Sequence, residues 1–396
     1  MRVYANTVAS VGNPATLLML LPETQSGWCE QLSQEGYNVV HALYPNEDVD
    51  KTFKEAQSEI TKLGTEWALL SYGLLPKDAS ALFALHITDL RACIHFCPTS
   101  ETKDGYLVQD ESGRYTPTIF HLAASQETLH ASLLPSTDPG NLGYSLLRNE
   151  QHPIHVFTYP LTSASPAFPL KVKPPALLTK SSDKGPLDDV HTRAAANMSY
   201  TRTLKLIRKH LGPELDIEKT WDMHTYFEFA EKSSAKTMST MVAAPYVNHV
   251  PTMTGGVGAQ DVTRFYKHHF CAEHVTPPDA QLVTVSRTVG VDKIVDEMYF
   301  KCTHTTEIDY FLPGIPPTGK QLEIAIAGVV ALRGDKLYFE HLYWDQASVL
   351  VQLGLLDPSN LPVAGVDVAR KVVYPFDLPS NTLMAKWKES EGKDNE

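Results

Sequence analysis

The stretch Phe339-Glu340-His341-Leu342-Tyr343-Trp344-Asp345-Gln346 leads into the largely apolar run Val349-Leu350-Val351-Gln352-Leu353-Gly354-Leu355-Leu356. This pattern predicts a strand that turns into a short amphipathic helix, with Asp345 at the junction. Alternate residues of a strand share a face, which gives two sets: His341, Tyr343 and Asp345 on one side, and Glu340, Leu342 and Trp344 on the other. An acid, an imidazole and a phenol would therefore share one surface. Asp is also a preferred helix N-cap, so a structural role for Asp345 stays open.

Residues 213–357 resemble a SnoaL-like polyketide cyclase domain in four segments, which occur in the same order. One of these segments overlaps the stretch quoted above. The matching segments are 217–226, Pro245-Tyr246-Val247-Asn248-His249-Val250-Pro251-Thr252, 312–320 and 340–354. The resemblance implies the nuclear-transport-factor-type fold, in which helices wrap a curved antiparallel sheet into a cone with a ligand cavity. It also implies that Asp345 is the general acid or base for intramolecular carbon–carbon bond formation. Helices followed by antiparallel strands are typical of the same α+β class.

Strand parity gives a second set of cavity candidates. The more apolar face of the predicted strand 294–304 should point inward, and it includes Asp296, Met298, Phe300 and His304. The apolar face of 282–289 would bring Arg287 inside, where it can pair with Asp296. A buried charge is costly unless it is paired. A structural ion pair is therefore the favoured interpretation of these two residues, and substrate binding is the alternative.

The predicted catalytic set is Asp345, His341, His304 and His249. The predicted substrate contacts are Tyr343, Trp344, Asp296, Arg287, Tyr246, Met298 and Phe300. His249 belongs to a segment that enters the cavity mouth in the resembling domains, although a lone histidine is more often structural. Asp345 would exchange a proton with a carbonyl oxygen or its α-carbon, while a histidine would stabilise the enolate.

No metal and no other cofactor is expected at this predicted site. Its residues lie on separate strands, without H-E-x-x-H spacing or cysteine support. His224, Glu228 and Glu231 stand at helical spacing and are assigned mainly to helix packing and to the surface.

The first half of the chain alternates short apolar strands with helical patterns, which predicts an α/β sheet. Residues 15–211 resemble the dienelactone hydrolase family of α/β hydrolases, most clearly in Glu35-Gly36-Tyr37-Asn38-Val39-Val40 and Leu43-Tyr44-Pro45. In that fold the nucleophile occupies a sharp turn after a strand, usually as G-x-S-x-G. The matching segment is Leu69-Leu70-Ser71-Tyr72-Gly73, so the resemblance implies Ser71 as the nucleophile.

The rest of the hydrolase triad is incomplete in the sequence. Leu69 replaces the first glycine, and the position of the acid holds Gln126, with Glu127 beside it. Ser165-Pro166 stands where the resemblance implies the histidine, and proline cannot act as a base. The sequence therefore favours a structural remnant, with hydrolysis by Ser71 as the alternative.

Composition sets the outer limits of these interpretations. The chain has 396 residues, 43% of them hydrophobic, which suits two globular domains. We expect an α/β hydrolase-like domain at 1–212, an α+β cone at 213–357 and a polar tail at 358–396. With 46 acidic and 34 basic residues the net charge is −12, which does not favour a nucleic-acid or anionic-membrane surface.

Five cysteines without a CxxC pair argue against a disulfide framework and favour a reduced cytoplasmic location. We find no signal-peptide pattern and no apolar run of membrane-spanning length.

The predicted function is a cyclase or isomerase acting on a hydrophobic polyketide-like or terpenoid-like carbonyl compound. It would work by acid/base chemistry or by holding the substrate in shape for a pericyclic closure. The alternatives are an ester or dienelactone hydrolase and a non-catalytic small-molecule-binding protein. The resemblance also implies a homodimer, since such cones pair through the open faces of their sheets.

Overall fold

The computed structural model describes residues 1–85, 88–109, 113–133, 153–162, 164 and 190–393. The segment Ser165-Pro166, which stands where the resemblance implies the hydrolase histidine, lies outside these residues. The chain divides into two compact units, Met1–Leu215 and Asp216–Glu396.

The first unit is built on a single seven-stranded sheet. Its strands are β1 Arg2–Tyr4, β2 Thr16–Leu21, β3 Asn38–Leu43, β4 Trp67–Tyr72, β5 Leu90–Phe96, β6 Thr118–Ala123 and β7 Ile154–Tyr159. Their order is β1-β3-β2-β4-β5-β6-β7, and all pairs are parallel except β1 with β3. Every residue of β2 is buried, as expected for a parallel strand covered on both faces. This unit is therefore of the α/β class.

Helices lie between the strands of this sheet and after its last strand. They are α1 Gly27–Ser33, α2 Val49–Leu63, α3 Pro76–Phe83, α4 Glu127–Leu133 and α5 Val190–Leu211. The side chain of Asp48 caps α2 by accepting a hydrogen bond from the amide of Lys51, and Gly64 ends the helix in a left-handed conformation.

The second unit contains a six-stranded sheet. Its strands are β8 Met241–His249, β9 Thr254–Val257, β10 Gln281–Val289, β11 Lys293–Thr303, β12 Gln321–Arg333 and β13 Lys336–Trp344. Their order is β10-β11-β12-β13-β8-β9, with antiparallel pairing except between β13 and β8. The predicted strands 282–289 and 294–304 correspond to β10 and β11. The unit is of the α+β class.

Helices precede this sheet, interrupt it and follow it. They are α6 Ile217–Phe229, α7 Ser234–Ser239, α8 Ala259–Phe265, α9 Gln346–Gln352 and α10 Asp367–Val373, with a π-helical turn at Tyr266–Phe270 after α8. Helix α6 contacts β13, and α8 contacts β8 and β9. None of the described helices combines the length and apolar composition needed to cross a bilayer.

Strand β11 alternates strictly between buried and more exposed residues. Its inward face includes Asp296, Met298 and Phe300, and the paired strand β12 continues that face with Ile326 opposite Met298. The inward face of the sheet forms one wall of an apolar interior, and residues of α6 and the π-helical turn form another.

Part of the polar tail packs against the second unit. Arg370 on α10 makes a bidentate pair with Glu323 on β12, at 2.8 and 2.9 Å. The amide of Gly365 also donates to the hydroxyl of Ser348. These contacts attach the tail at least as far as α10.

Candidate functional site

The two faces of β13 have opposite environments, and the inward face is not the one that carries the predicted catalytic residues. Glu340 is 3% exposed and faces inward together with Leu342 and Trp344. His341 is only partly buried, and Tyr343 is 43% exposed. The prediction that His341 and Tyr343 face the cavity is therefore wrong. Alternation divides a strand into two faces, but the neighbouring elements decide which face is covered.

Asp345 is the N-cap of α9. Its Oδ1 accepts a hydrogen bond from the amide of Ser348 at 3.2 Å, and its Oδ2 accepts one from the Ser348 hydroxyl at 2.6 Å. The residue is exposed and does not line the cavity. The capping interpretation therefore describes this carboxylate, and it is not placed for the predicted proton transfer.

Four other polar side chains meet at the base of the interior. His224 and Glu228 lie one turn apart on α6, Tyr266 lies on the π-helical turn, and Glu340 lies on β13. Nε2 of His224 is 3.0 Å from Oε1 of Glu228 and 3.0 Å from Oε1 of Glu340. The Tyr266 hydroxyl donates to Oε1 of Glu340 at 3.0 Å. We call these four residues the His224 cluster.

Hydrogen bonds fix the protonation of the imidazole at Nδ1. The Thr240 hydroxyl donates to the carbonyl of Thr237 at 2.7 Å, so it accepts from Nδ1 of His224 at 2.6 Å. Nδ1 therefore carries a proton, and Nε2 faces the two carboxylates. When Nε2 is protonated as well, the ring is an imidazolium between two acids. Two neighbouring carboxylates favour this charged form.

The electrostatics of the His224 cluster agree with this assignment. Burial lowers the pKa of His224, but the charges of Glu228 and Glu340 outweigh burial and raise the pKa to about 10. Burial, with the charge of Glu340 added to it, raises the pKa of Glu228 despite the opposing effect of His224. Burial also holds the pKa of Tyr266 well above its usual range. The imidazole is therefore charged at neutral pH, and Glu228 takes up a proton more readily than an exposed glutamate.

The cluster lies beneath an apolar cavity. The cavity has an empty volume of about 540 Å³, a figure that includes open solvent and the gaps between lining side chains. Its polar lining residues include Glu228, Glu340, Tyr266 and His249, whereas His224 lies behind the two carboxylates. The apolar lining residues are Trp221, Phe229, Phe270, Leu282, Met298, Phe300, Phe311, Ile326 and Leu342. A few polar groups in an apolar enclosure are what a small-molecule site requires.

His249 contributes a neutral imidazole to this wall. Its Nδ1 lies 3.3 Å from the carbonyl oxygen of Thr254, which fixes the proton on that nitrogen. Burial lowers the pKa of His249 to about 4. The ring therefore stays uncharged and has an acceptor at Nε2.

A more polar vestibule adjoins the cavity, since the two share Trp221, Thr225, Phe229, Leu282, Met298 and Phe300. It also includes Arg287 and Asp296. The Arg287 guanidinium binds Asp296 at 2.7 and 2.8 Å, and the indole N–H of Trp221 donates to the same carboxylate at 2.8 Å. This network holds Trp221 between vestibule and cavity.

The remaining predicted site residues lie in different parts of the second unit. Met298 and Phe300 line the cavity. His304 is buried, but Nδ1 contacts the Thr318 hydroxyl at 3.0 Å and the residue does not line the cavity. Tyr246 packs against His341, with ring centroids 5.3 Å apart, on the outer face of the sheet.

His224, Glu228 and Glu340 are also the described residues whose arrangement suits a metal ion, since their ligand atoms lie within 4.8 Å of one another. Nε2 of His224 already hydrogen-bonds to both carboxylates, so a proton supplies the charge that a cation would supply. The expectation of a metal-free site stays a prediction.

Sequence reasoning missed the His224 cluster. The sequence pattern assigns His224 and Glu228 mainly to helix packing and the surface, and it places Glu340 on the strand face opposite His341, Tyr343 and Asp345. Two signals were present in the sequence. His224 and Glu228 have i,i+4 spacing on a helix beside Trp221, and Glu340 is a lone acid among the apolar alternating residues of β13.

Ser71 in the first unit has a histidine neighbour that the sequence did not indicate. Ser71 on β4 is the cross-strand partner of His95 on β5, and its Oγ lies 2.8 Å from Nδ1 of that ring. Ser71 is 1% exposed and His95 is fully buried, and burial lowers the pKa of His95 to about 4. No carboxylate hydrogen-bonds to His95 within the described residues. Gln126 instead bonds to the backbone at Ala123 and Pro98.

No protein-family model matches the chain, and no curated protein sequence matches it. Similar solved structures include a hypothetical protein with a ketosteroid isomerase-like fold from Catenulispora acidiphila, in complex with trimethylamine. It is 13% identical, with 36% of this chain and 94% of that chain covered and a TM-score of 0.27.

Two further similar structures are proposed polyketide cyclases. The SnoaL-like one from Jannaschia sp. is 15% identical over 37% of this chain and 99% of its own, with a TM-score of 0.28. The one from Acidithiobacillus ferrooxidans is 19% identical over 36% of this chain and 97% of its own, with a TM-score of 0.29. With TM-scores below 0.5, these similarities assign neither an activity nor the role of any residue, and none of the three descriptions names a hydrolase.

Proposed function

We propose that the second unit is a cofactor-independent cyclase or isomerase that acts on a hydrophobic carbonyl compound in its apolar cavity. One observation carries this proposal: two carboxylates and a phenol that are almost fully buried line the cavity, with an imidazolium behind them. Buried titratable groups in an apolar enclosure are typical of sites that transfer protons.

Glu340 is the proposed base, because His224 and Tyr266 hold its carboxylate at the cavity wall. It would remove a proton from the carbon next to a carbonyl group, and the electrons of the broken C–H bond would move onto the carbonyl oxygen. Return of the proton to another carbon gives an isomer. Attack of the carbon on a second carbonyl of the same molecule, with a proton delivered to that oxygen, gives a ring. Neither outcome needs an oxidant or reductant.

Tyr266 and Glu228 are the proposed proton donors. Both line the cavity, and the raised pKa of Glu228 favours its protonated form. His224 does not line the cavity, so we assign it a positioning role for the two carboxylates. Shape-directed pericyclic closure is the variant of this proposal in which the cavity walls matter more than Glu340.

Deuterium exchange tests the proton transfer without knowledge of the natural substrate. The protein is incubated in D₂O with a hydrophobic ketone, 4-phenylcyclohexanone, and deuterium uptake next to the carbonyl is followed by mass spectrometry. We expect Glu340→Gln to lower the protein-dependent rate by about 10²–10⁴-fold. Glu297→Gln, on the outer face of the sheet, serves as the matched control and should match wild type. Dialysis against EDTA should leave the rate unchanged.

Equal exchange in wild type and Glu340→Gln would overturn the assigned role of this carboxylate. Binding of the ketone without any protein-dependent exchange would favour the alternative of a non-catalytic small-molecule-binding protein.

Hydrolysis by Ser71 is the second candidate, favoured by the 2.8 Å contact between its hydroxyl and His95. Burial of both side chains argues against it, because a nucleophile must reach its substrate. Labelling of Ser71 by a fluorophosphonate probe would support the hydrolase, and absence of labelling would remove it.

We also propose that the chain forms a homodimer through the outer face of the second sheet. Val283, Val295 and Tyr343 are exposed there and offer an apolar surface. Light scattering should give twice the chain mass for wild type and the chain mass for Tyr343→Glu.

A cytoplasmic location is proposed from the five cysteines, all of which are buried and free.

A further inference from the structure

The walls of the cavity are strongly aromatic, which bears on the substrate class of the function proposed above. Seven lining residues are aromatic carbon rings: Trp221, Phe229, Tyr266, Phe270, Phe300, Tyr310 and Phe311. The centroid of the Tyr310 ring lies 4.5 Å from that of Phe270 and 4.7 Å from that of Phe311. Faces of such rings attract a cation within about 6 Å of their centres.

The charged groups at the cavity are acidic. Glu228 and Glu340 line it, and among the described lining residues none is lysine or arginine. The single guanidinium of the vestibule, that of Arg287, faces three carboxylates, those of Asp296, Asp222 and Glu218. Lys232 also lines the vestibule, so repulsion of an anionic ligand is expected at the base of the cavity, where Glu228 and Glu340 form the wall.

The His224 cluster has one imidazolium for two carboxylates. Burial and the charge of Glu340 raise the pKa of Glu228, which means that a second positive charge is favourable at this point. A proton can supply that charge in the empty cavity. A ligand that brings its own positive charge can supply it as well.

We infer that the cavity takes a hydrophobic substrate whose buried end is an organic cation, a tertiary or quaternary ammonium, held between the aromatic walls and the carboxylates of Glu228 and Glu340. This inference rests on the proposed function and narrows it, with Tyr266 as the proton donor because the bound cation keeps Glu228 ionised. When Glu340 removes a proton from carbon, negative charge develops beside Glu228 in an apolar enclosure. A cationic nitrogen in the same molecule would offset that charge.

Two probes of the same shape test the inference, benzyltrimethylammonium and neopentylbenzene, which differ by a positive nitrogen in place of a quaternary carbon. Their dissociation constants for the full chain are measured by isothermal titration calorimetry at low ionic strength, after dialysis against EDTA. We expect the ammonium to bind at least about tenfold more tightly than the neutral probe, a preference within the range of desolvated cation–π contacts.

Variants identify where the charge is recognised. Glu340→Gln and, separately, Glu228→Gln should reduce the preference for the ammonium while leaving the affinity for neopentylbenzene within about twofold. Glu297→Gln on the outer sheet face should keep the wild-type preference. The use of two cavity variants keeps the test decisive if one of them fails to fold.

Equal or tighter binding of neopentylbenzene would overturn the inference and leave the proposed isomerase or cyclase function standing, because deuterium exchange into the neutral ketone tests that function separately. An ammonium preference that persists unchanged in both cavity variants would also overturn it, since the charge would then be recognised elsewhere. Failure of both probes to bind at millimolar concentration would overturn it as well.

Discussion

Each of the two units buries a histidine against a polar partner, but the two sites differ in charge and in access. In the first unit, His95 contacts the Ser71 hydroxyl, both side chains are buried, and no carboxylate joins them within the described residues. In the second unit, His224 contacts two carboxylates that line a cavity. The first site has the residue types of a hydrolase without an opening, whereas the second has charge, an opening and a place for a ligand.

A buried histidine and its polar partner form a candidate site only when the surrounding groups supply charge and access for a ligand. Burial alone lowers the pKa of His95 to about 4, which leaves a neutral ring. The same degree of burial leaves His224 with a pKa of about 10, because two carboxylates outweigh the cost of desolvation. A buried imidazole can therefore be a neutral packing group or a cation that organises acids.

The largest expected effect separates the two sites by activity. Glu340→Gln should lower deuterium exchange into the ketone by about 10²–10⁴-fold, because a positioned base contributes about that factor. Ser71→Ala should leave exchange unchanged, because its hydroxyl is sealed in the first unit. If Ser71→Ala lost deuterium exchange and Glu340→Gln kept it, the proton-transfer site would belong to the first unit and not to the second.

Stability should separate the two sites next. His224→Phe removes the cation and leaves two buried carboxylates, so we expect the second unit to lose about 3–5 kcal/mol of its free energy of unfolding. Ser71→Ala removes one hydrogen bond and should cost the first unit about 1 kcal/mol. Both losses of unfolding free energy are measured by urea denaturation, with hydrogen exchange of peptides from each unit used to monitor the unfolding of that unit. Equal losses would mean that the carboxylates are compensated by other groups.

The pH dependence of stability should differ in sign between His95 and His224. The folded pKa of His95 is about 4, below the ordinary value of 6.5, so its unit loses stability as the pH falls from about 6.5 to 4, by roughly 3 kcal/mol. The folded pKa of His224 is about 10, so its contribution is complete below pH 6.5 and is lost as the pH rises towards 10.

Stability at alkaline pH distinguishes the two units. Stability at acidic pH does not, because His249 in the second unit has a pKa of about 4, like His95 in the first. Hydrogen exchange between pH 7 and 10, corrected for intrinsic rates, should show loss of protection in α6 and β13, and this loss should be absent in His224→Gln. The same loss in the variant would exclude His224 as its cause.

The smallest expected effect concerns Asp345. Replacement by alanine removes the cap of α9 and should lower the stability of the second unit by about 1 kcal/mol. Deuterium exchange should be unaffected at temperatures where the variant is folded. A loss of exchange comparable with that of Glu340→Gln would restore Asp345 to the catalytic role that the family resemblance implied.

The kinds of elements and many of their positions follow from local sequence patterns. Gly and Pro mark the ends of several helices, alternation defines the two faces of β11, and the capping pattern at Asp345 is local. These features depend on neighbours within a few residues, so one chain is enough to predict them. The division into an α/β half and an α+β half follows from the order of such elements.

The inward face of β13 and the meeting of Glu228 with Glu340 depend on contacts between segments that are far apart in the chain. Glu340 lies more than 110 residues beyond His224 in the chain, and their contact depends on how α6 lies over the sheet. Strand β8 pairs parallel with β13, and the sequence did not predict this strand because its partner is distant in the chain. Likewise, Ser71 meets His95 only because β4 and β5 are adjacent. Local patterns specify faces and ends, whereas the covering of a face and the charge next to a buried group come from contacts between distant segments.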